Sequence, residues 1–237
     1  MHLSCFNSSD KFWIGQENLG IFVVEISLKE KYVQTFYECS TTDKSVYCTG
    51  IKMQKELWKA GNMLYPLPAV MVSCAENNRK NIITVAWTGT VCTNPPMLSI
   101  SVRPERFSHG IIERTGEFVV NLTTKTLAHA CDFCGVKSGR DIDKFKETKL
   151  SAIDADFVGA PLIAESPVNI ECRVEQILRL GSHDMFLAKV LGVHISKKYL
   201  NKNQKFELAK AEPIVYSHGE YYGLGELIGK FGYSVKK

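Results

Sequence analysis

The chain has 237 residues, of which 45% are hydrophobic, and this is enough for one domain with a sizeable core. Its 29 basic and 25 acidic residues give a net charge of +4 and are spread along the chain, so the composition disfavours a nucleic-acid partner. The eight cysteines lack the regular spacing of a small secreted disulfide framework, and they favour reduced thiols and a cytoplasmic location.

Residues 1–52 differ in character from the rest of the chain. They hold three of the eight cysteines and show no sustained periodicity. We predict an N-terminal extension outside the core domain, with Met53 as an alternative translation start; a small hairpin over 21–27 and 32–37 is the other interpretation. The apolar stretch 19–28 contains Glu25 and lacks a basic lead-in and a cleavage site, so neither a signal peptide nor a membrane span is expected. The core domain is predicted over 53–237.

From residue 67 onward, the apolar runs are short, rich in Val, Ile and Thr, and bounded by Asn, Gly and Pro, which is typical of strands. The polar turn at 76–81 and the Asn-Pro-Pro turn at 94–96 predict antiparallel neighbours. The predicted strands are 69–75, 82–91, 97–103, 118–122, 168–180 and 185–195.

Helices are fewer. Ser108 is predicted to cap a short helix that ends at Gly116, and a second helix is predicted over 127–133. This pattern favours a mainly β fold, a closed or nearly closed antiparallel barrel with flanking helices, over a doubly wound parallel sheet. Neither GxGxxG nor GxxxxGK occurs, so a nucleotide-like cofactor would have to be held by other means.

The stretch TVAWTGTVCTNPPMLSISVRPERFS, residues 84–108, is a candidate anion site. If a strand precedes a helix that begins at Ser108, then Arg103, Arg106 and Ser108 surround a helix N-terminus, whose free amides and dipole favour an anion. Two guanidiniums and a hydroxyl would complete a phosphate site, and a solvated loop is the alternative.

The same stretch carries a row of hydroxyls. Thr84, Thr88 and Thr90 would share one face of the predicted strand 82–91 and could hydrogen-bond a flat ring rich in heteroatoms. A solvent-facing strand shows the same pattern. Trp87 would point to the opposite face unless a bulge turns it.

Four segments together resemble the flavin reductase-like, FMN-binding split-barrel family, in particular its flavoredoxin branch. They are NIITVAWTGTVCTNPPMLSISVRPERFSHGIIERTGEFVVNL, CGVKSGRDIDKF, PVNIECRVEQILRLGSHDMFLAKV and YSHGEYYGLG. The resemblance extends from about residue 55 to the C-terminus. It implies a six-stranded antiparallel split barrel that forms a homodimer, with one FMN per subunit held non-covalently near the dimer interface.

The resemblance also implies roles for individual residues. It places one group at the isoalloxazine ring: Thr84, Ala86, Trp87 and Thr88. It places a second group at the ribityl phosphate: Ser101, Arg103, Arg106 and Ser108. Phe107, Lys137 and Ser138 complete the implied cofactor-binding set, the last two on a loop that approaches the flavin of the same or the partner subunit.

The segment GSHDMF stands where flavin reductases of the family carry a Gly-Asp-His motif. His183 is similar to the histidine associated with the nicotinamide donor and is the candidate catalytic and substrate-binding residue. Ser182 replaces the Asp that would orient the imidazole, so the choice of donor stays open. In YSHGEYYGLG, His218 and Tyr221 are the further substrate-binding candidates, and the tyrosines could stack on a ring or pack at a dimer interface.

Two functions follow from the resemblance. The chain would be a flavin reductase that takes a hydride from NAD(P)H, or a flavoredoxin-type carrier that exchanges electrons with a redox protein such as ferredoxin. The altered motif favours the carrier. A flavin-binding module without NAD(P)H-dependent activity is the alternative.

Cys131 and Cys134 have the two-residue spacing of redox and metal pairs. A zinc site would need a second such pair, and a thioredoxin-like site would need a parallel sheet. We therefore predict two packed thiols, with redox chemistry as the alternative, and no metal.

Overall fold

The computed structural model describes the backbone of 21–28, 31–42 and 45–50 and all atoms of 55–235, and the chain divides into units at 1–62 and 63–237. In the first unit, β1 (Ile21–Leu28), β2 (Lys31–Thr42) and β3 (Ser45–Gly50) form an antiparallel sheet in that order. The hairpin interpretation agrees with β1 and β2, whereas the role of residues 1–52 stays a prediction. Among the described helices, none has the length and apolar character needed to cross a membrane.

The described residues of the second unit form twelve strands, whose bounds are β4 Leu67–Pro68, β5 Val70–Glu76, β6 Arg79–Val85, β7 Thr88–Thr93, β8 Pro96–Val102, β9 Glu117–Leu122, β10 Ala152–Ile153, β11 Leu162–Ile163, β12 Val168–Arg179, β13 Asp184–Ile195, β14 Ile214–Ser217 and β15 Glu220–Gly223. Seven of them form one antiparallel sheet in the order β6-β5-β9-β12-β13-β8-β7. A small sheet has the order β15-β14-β4, and β10 pairs with β11.

The connection between β6 and β7 makes the large sheet a barrel. These two strands lie at opposite ends of the strand order, yet only Ala86 and Trp87 separate them in the chain. The two edges must therefore meet at one end, and the sheet curls around a core that includes the fully buried Val72, Phe118 and Phe186. The predicted antiparallel barrel is confirmed.

The predicted strand count differs from the structure by one. The run 82–91 was predicted as a single strand, but the chain bends at Ala86 and Trp87 and divides it between β6 and β7. The other five predicted strands correspond to β5, β8, β9, β12 and β13. The main sheet therefore has seven strands rather than six.

The helices of this unit are α1 (Phe107–Thr115), α2 (Ala128–Val136) and α3 (Lys144–Thr148), with single 3-10 turns at Lys125–Leu127, Lys197–Tyr199, Leu208–Ala211 and Tyr233–Val235. As predicted, α1 ends at Gly116, which has a φ of 67° and donates its N–H to the Ile112 carbonyl at 2.8 Å. The predicted Ser108 cap is wrong: Arg106 is the N-cap, and no side chain caps the helix.

A buried carboxylate fixes the loop that precedes β11. Glu171 on β12 is fully buried, and it accepts hydrogen bonds from the backbone N–H groups of Asp156, Phe157 and Val158 and meets His194 Nε2 at 2.6 Å. Asp156, Glu171 and His194 bring their ligand atoms within 4.8 Å of one another, as metal ligands do. Because the Glu171 oxygens already accept these bonds, the cluster is explained as a structural contact.

Candidate functional site

A cavity of about 250 Å³ opens at the N-terminus of α1. It lies between β6, the first turn of α1, the end of α2 and the start of α3. The lining residues are Asn81, Ile83, Glu105, Arg106, Phe107, Ser108, Cys134, Lys137, Ser138, Gly139, Arg140 and Lys144. The cavity thus brings together five residues of the implied cofactor-binding set: Arg106, Phe107, Ser108, Lys137 and Ser138.

The local sequence explains why no side chain caps the N-terminus of α1 where it meets the cavity. Arg106 is extended, with φ −73° and ψ 138°, and the first turn of α1 contains no acidic residue. The hydroxyl of Ser108 instead accepts a hydrogen bond from Asn81 Nδ2 at 2.7 Å, which ties α1 to β6. The positive end of the helix dipole is therefore uncompensated by a side chain, a condition that favours an anionic ligand.

The cavity is strongly cationic. Four of its lining residues are basic, namely Arg106, Lys137, Arg140 and Lys144, whereas Glu105 is the one carboxylate among them. An excess of positive charge at a helix N-terminus suits a phosphate group, which accepts several charge-assisted hydrogen bonds.

Lys144 is the buried member of this group, with 3% of its surface exposed. Its Nζ donates to the carbonyls of Ile82 and Cys134, each at 2.7 Å. Within the described part of the chain, no carboxylate lies within ion-pair distance of Nζ. Burial lowers the pKa of Lys144, and an anion in the cavity would favour its charged form.

The predicted row of hydroxyls is not formed. Thr84 lies on β6 and donates to the Cys131 carbonyl, whereas Thr88 lies on β7 and donates to the Ser99 carbonyl at 2.8 Å. The bend at 86–87 places these two threonines on strands at opposite edges of the sheet, and Thr90 is exposed. Thr84 lies against α2, because a Cβ on Gly135 would lie 3.2 Å from the Thr84 Cβ.

Trp87 and His183 form a partly exposed aromatic pair. Their ring centroids lie 5.9 Å apart with an interplanar angle of 8°, so the rings are stacked. The bend puts 38% of Trp87 in contact with solvent, and its carbonyl accepts the N–H of Ser101 at 2.8 Å. Ala86 belongs to the same bend. The structure therefore collects Ala86, Trp87, Ser101 and His183 at one end of the barrel.

The environment of His183 favours its neutral imidazole. Partial burial lowers its pKa, and the charges of Arg103 and Arg106 lower it further. Ser182 Oγ lies 3.0 Å from Nδ1, so a hydroxyl stands where the resemblance implied a carboxylate. Asp184, the next residue, instead contacts His109 Nε2 at 2.8 Å and Arg179.

Besides the residues of the 86–87 bend and its neighbours, three further predicted site residues lie outside the cavity lining. Arg103 pairs with Glu105 at 3.6 Å on the surface. His218 packs against Tyr65, with ring centroids 4.2 Å apart, and Tyr221 donates its hydroxyl to Asp132 at 3.2 Å. Burial raises the pKa of Tyr221. His218 and Tyr221 therefore belong to the small sheet and its contact with α2.

Cys131 and Cys134 are buried on α2, as predicted for packed thiols. Burial raises the pKa of Cys134 to about 11 and also raises that of Cys131. Both thiols are therefore protonated near neutral pH, which disfavours thiolate redox chemistry. All five cysteines with described side chains are free.

Sequence reasoning missed Asn81, and it placed Arg140 and Lys144 in the loop that resembles a flavin contact without giving either a role of its own, although all three line the cavity. Arg140 and Lys144 share a short glycine-containing loop with the predicted Lys137 and Ser138, and that proximity is the one signal that could have indicated them. Nothing in the local pattern shows that Lys144 is buried or that Asn81 reaches the helix end.

Comparisons with known proteins identify the family of the chain. A family model described as a flavin reductase like domain matches residues 62–225, which is more than half of the chain. The structure of a flavoredoxin from Desulfovibrio vulgaris (Miyazaki F) superposes with a TM-score of 0.72 at 26% identity, covering 77% of this chain and 100% of that chain.

Two sequence relatives extend the comparison. An NADH-dependent FMN reductase, AsuE2, from Streptomyces nodosus subsp. asukaensis is 24% identical over 158 residues, which cover 67% of this chain and 78% of the relative. An uncharacterized protein from Aeropyrum pernix is 28% identical over 155 residues, which cover 65% of this chain but 58% of that longer relative. With the family model matched over 62–225 and the barrel in place, the chain belongs to the flavin reductase-like family.

Proposed function

We propose that the chain binds FMN non-covalently and acts as a flavin-dependent oxidoreductase. The observation that carries this proposal is the cationic cavity at the uncapped N-terminus of α1, which matches the needs of a terminal phosphate. Arg106, Lys137, Arg140 and the first-turn amides would hold that phosphate. Bound FMN would supply the electron-transfer chemistry, and the protein would supply position and electrostatics.

A redox partner would approach the end of the barrel at which Trp87 and His183 lie. Arg106 lines the cavity and also lowers the pKa of His183, so the anion site and the Trp87–His183 stack are electrostatically connected. A neutral imidazole stacked on an indole offers a flat surface to a nicotinamide donor. The Ser182 hydroxyl gives His183 a weaker orienting partner than a carboxylate, which supports an electron carrier served by a redox protein such as ferredoxin.

The visible absorption spectrum of the protein, reconstituted with FMN and then titrated anaerobically with NADH and NADPH, tests this proposal. We expect a bound flavin band that responds weakly to either nucleotide and bleaches with a reduced ferredoxin. Bleaching by NADH or NADPH within seconds would identify a reductase and its donor. A band indifferent to all three would leave a flavin-binding module, and the absence of any flavin band after reconstitution would contradict FMN binding.

The proposal includes a cytoplasmic homodimer. The described C-terminal segment exposes several large apolar side chains to solvent, which is unusual for a surface without a partner. Their exposed fractions are 80% for Leu227, 90% for Ile228 and 107% for Phe231. We expect light scattering of the purified protein to give twice the mass of 26.6 kDa, and a monomer mass at micromolar concentration would contradict the dimer.

A further inference from the structure

We propose that Arg79, which does not line the cavity, is a positioning residue that holds the loop 137–140 closed over bound FMN and so makes the flavin a retained cofactor rather than a released product. This inference rests on the proposed FMN site. It concerns how long the flavin stays bound, a property that separates a carrier from a reductase that releases reduced flavin.

The loop in question forms one side of the cavity. Helix α2 ends at Val136 and α3 begins at Lys144, and four consecutive residues between them, 137–140, all line the cavity. A phosphate held by Lys137 and Arg140 cannot leave without displacement of this segment or loss of its contacts. The hydrogen bonds that hold the loop in place therefore control the rate at which bound FMN is released.

Few hydrogen bonds hold this loop in place, and most of them come from the Arg79 side chain. Arg79 Nη2 donates to the Gly139 carbonyl at 2.6 Å and to the Arg140 carbonyl at 3.1 Å. Arg140 Nη1 donates to the Glu105 carbonyl at 2.9 Å. Among the described residues, these are the hydrogen bonds that join 137–141 to parts of the protein outside α2 and α3, and Arg79 makes two of the three.

Arg79 is itself fixed by its neighbours. It is the first residue of β6, directly after the turn at Asn77 and Asn78, so its backbone belongs to the barrel sheet. Its guanidinium carbon lies 4.4 Å from the centroid of the Phe107 ring, a cation–π contact with the first residue of α1. Arg79 thus connects the strand, the helix that presents its amides to the phosphate, and the loop that closes the cavity.

Removal of these bonds should affect release more than capture. The cationic cavity attracts the FMN phosphate whether or not Arg79 holds the loop, whereas dissociation of FMN requires the loop to open. We therefore expect Arg79→Ala to accelerate FMN release at least tenfold, with the association rate changed less than threefold. Arg79→Lys should restore part of the retention, because an ammonium donates to carbonyls but lacks the planar fork.

The test measures release rates of FMN and riboflavin by stopped-flow recovery of flavin fluorescence from the loaded full-length protein. Riboflavin lacks the phosphate, so its release should change less than threefold in Arg79→Ala. Lys80→Ala is the matched control, since Lys80 is the next cation on β6, pairs with Asp154 at 3.9 Å and does not line the cavity. Thermal midpoints of each variant check that the fold is intact, and Arg79→Gln replaces Arg79→Ala if the latter does not fold.

The outcomes are distinguishable. FMN release from Arg79→Ala within twofold of the wild-type rate overturns the inference while the FMN site stands. If Arg79→Ala accelerates the release of FMN and of riboflavin equally, or if Lys80→Ala accelerates FMN release as much as Arg79→Ala does, Arg79 has a general structural role. Either result also overturns the inference. A wild-type protein that takes up neither flavin overturns the proposed function and this inference together.

Discussion

Replacing Arg106 by alanine is expected to raise the dissociation constant for FMN about tenfold to 100-fold. Arg106 stands at the N-cap of α1 and lines the cavity, and within the described residues its guanidinium makes no ion pair or hydrogen bond. It is therefore available to a phosphate. A charge-assisted hydrogen bond is worth about 1.5–3 kcal/mol, which corresponds to this change in affinity.

Titration of the apoprotein with FMN, followed by quenching of flavin fluorescence, measures this effect. Arg103→Ala is the matched control, because Arg103 lies three residues earlier, pairs with Glu105 at 3.6 Å and does not line the cavity. We expect its affinity for FMN to stay within about threefold of wild type, as for an exposed ion pair. Equal losses in both variants would contradict the separate roles that the structure gives to these two arginines.

Replacing Gly139 by alanine is expected to weaken FMN binding at least tenfold and to lower the thermal midpoint by several degrees. A Cβ at this position would lie 2.0 Å from Asn81 Oδ1 and 2.6 Å from its Cγ. Asn81 is 2% exposed and donates to Ser108, so it cannot turn aside without loss of the bond that ties β6 to α1. Overpacking of this kind costs about 1–3 kcal/mol, and each kcal/mol lowers the midpoint of a domain of this size by about 2–4 °C.

Calorimetry and the same fluorescence titration check the two effects. Gly89→Ala serves as the control, because a Cβ at Gly89 on β7 meets nothing within 4 Å. We expect this variant to bind FMN like wild type and to be no less stable. Normal FMN affinity in Gly139→Ala would show that the close approach of the loop to Asn81 does not shape the cavity.

Most strand bounds were predictable from the sequence. The bend at 86–87, which divides the predicted strand 82–91, was not, and this has a physical cause. Alternation of apolar and polar residues and the polar turns identify β5, β8, β9, β12 and β13 directly. The run from Thr84 to Val91 contains no proline and is rich in Thr and Val, which favour a strand, although Ala86 and Gly89 are weak strand formers. The bend arises because β6 and β7 pair with different neighbours at opposite edges of the sheet, which is a property of the whole barrel.

The site was predictable to the extent that its residues are close in sequence. Arg106, Ser108, Lys137 and Ser138 lie in two segments whose family resemblance implied a flavin contact, and the cavity unites them. The expected capping role of Ser108 is wrong, because its hydroxyl instead accepts a hydrogen bond from Asn81, which is distant in sequence. The burial of Lys144 could not be found from the sequence, since the carbonyls that accept its hydrogen bonds come from β6 and α2.

The cluster of like charges around the cavity also has a consequence for the lifetime of the protein in a cell. Without an anion, Arg106, Lys137, Arg140 and the buried Lys144 repel one another, so we expect the protein to be less stable without its proposed flavin. A ligand at 100 times its dissociation constant adds about 2.7 kcal/mol to the free energy of unfolding. Because proteases act on the unfolded fraction, the steady-state abundance of the chain should follow the cellular supply of flavin, and thermal midpoints measured against FMN concentration give the size of this coupling.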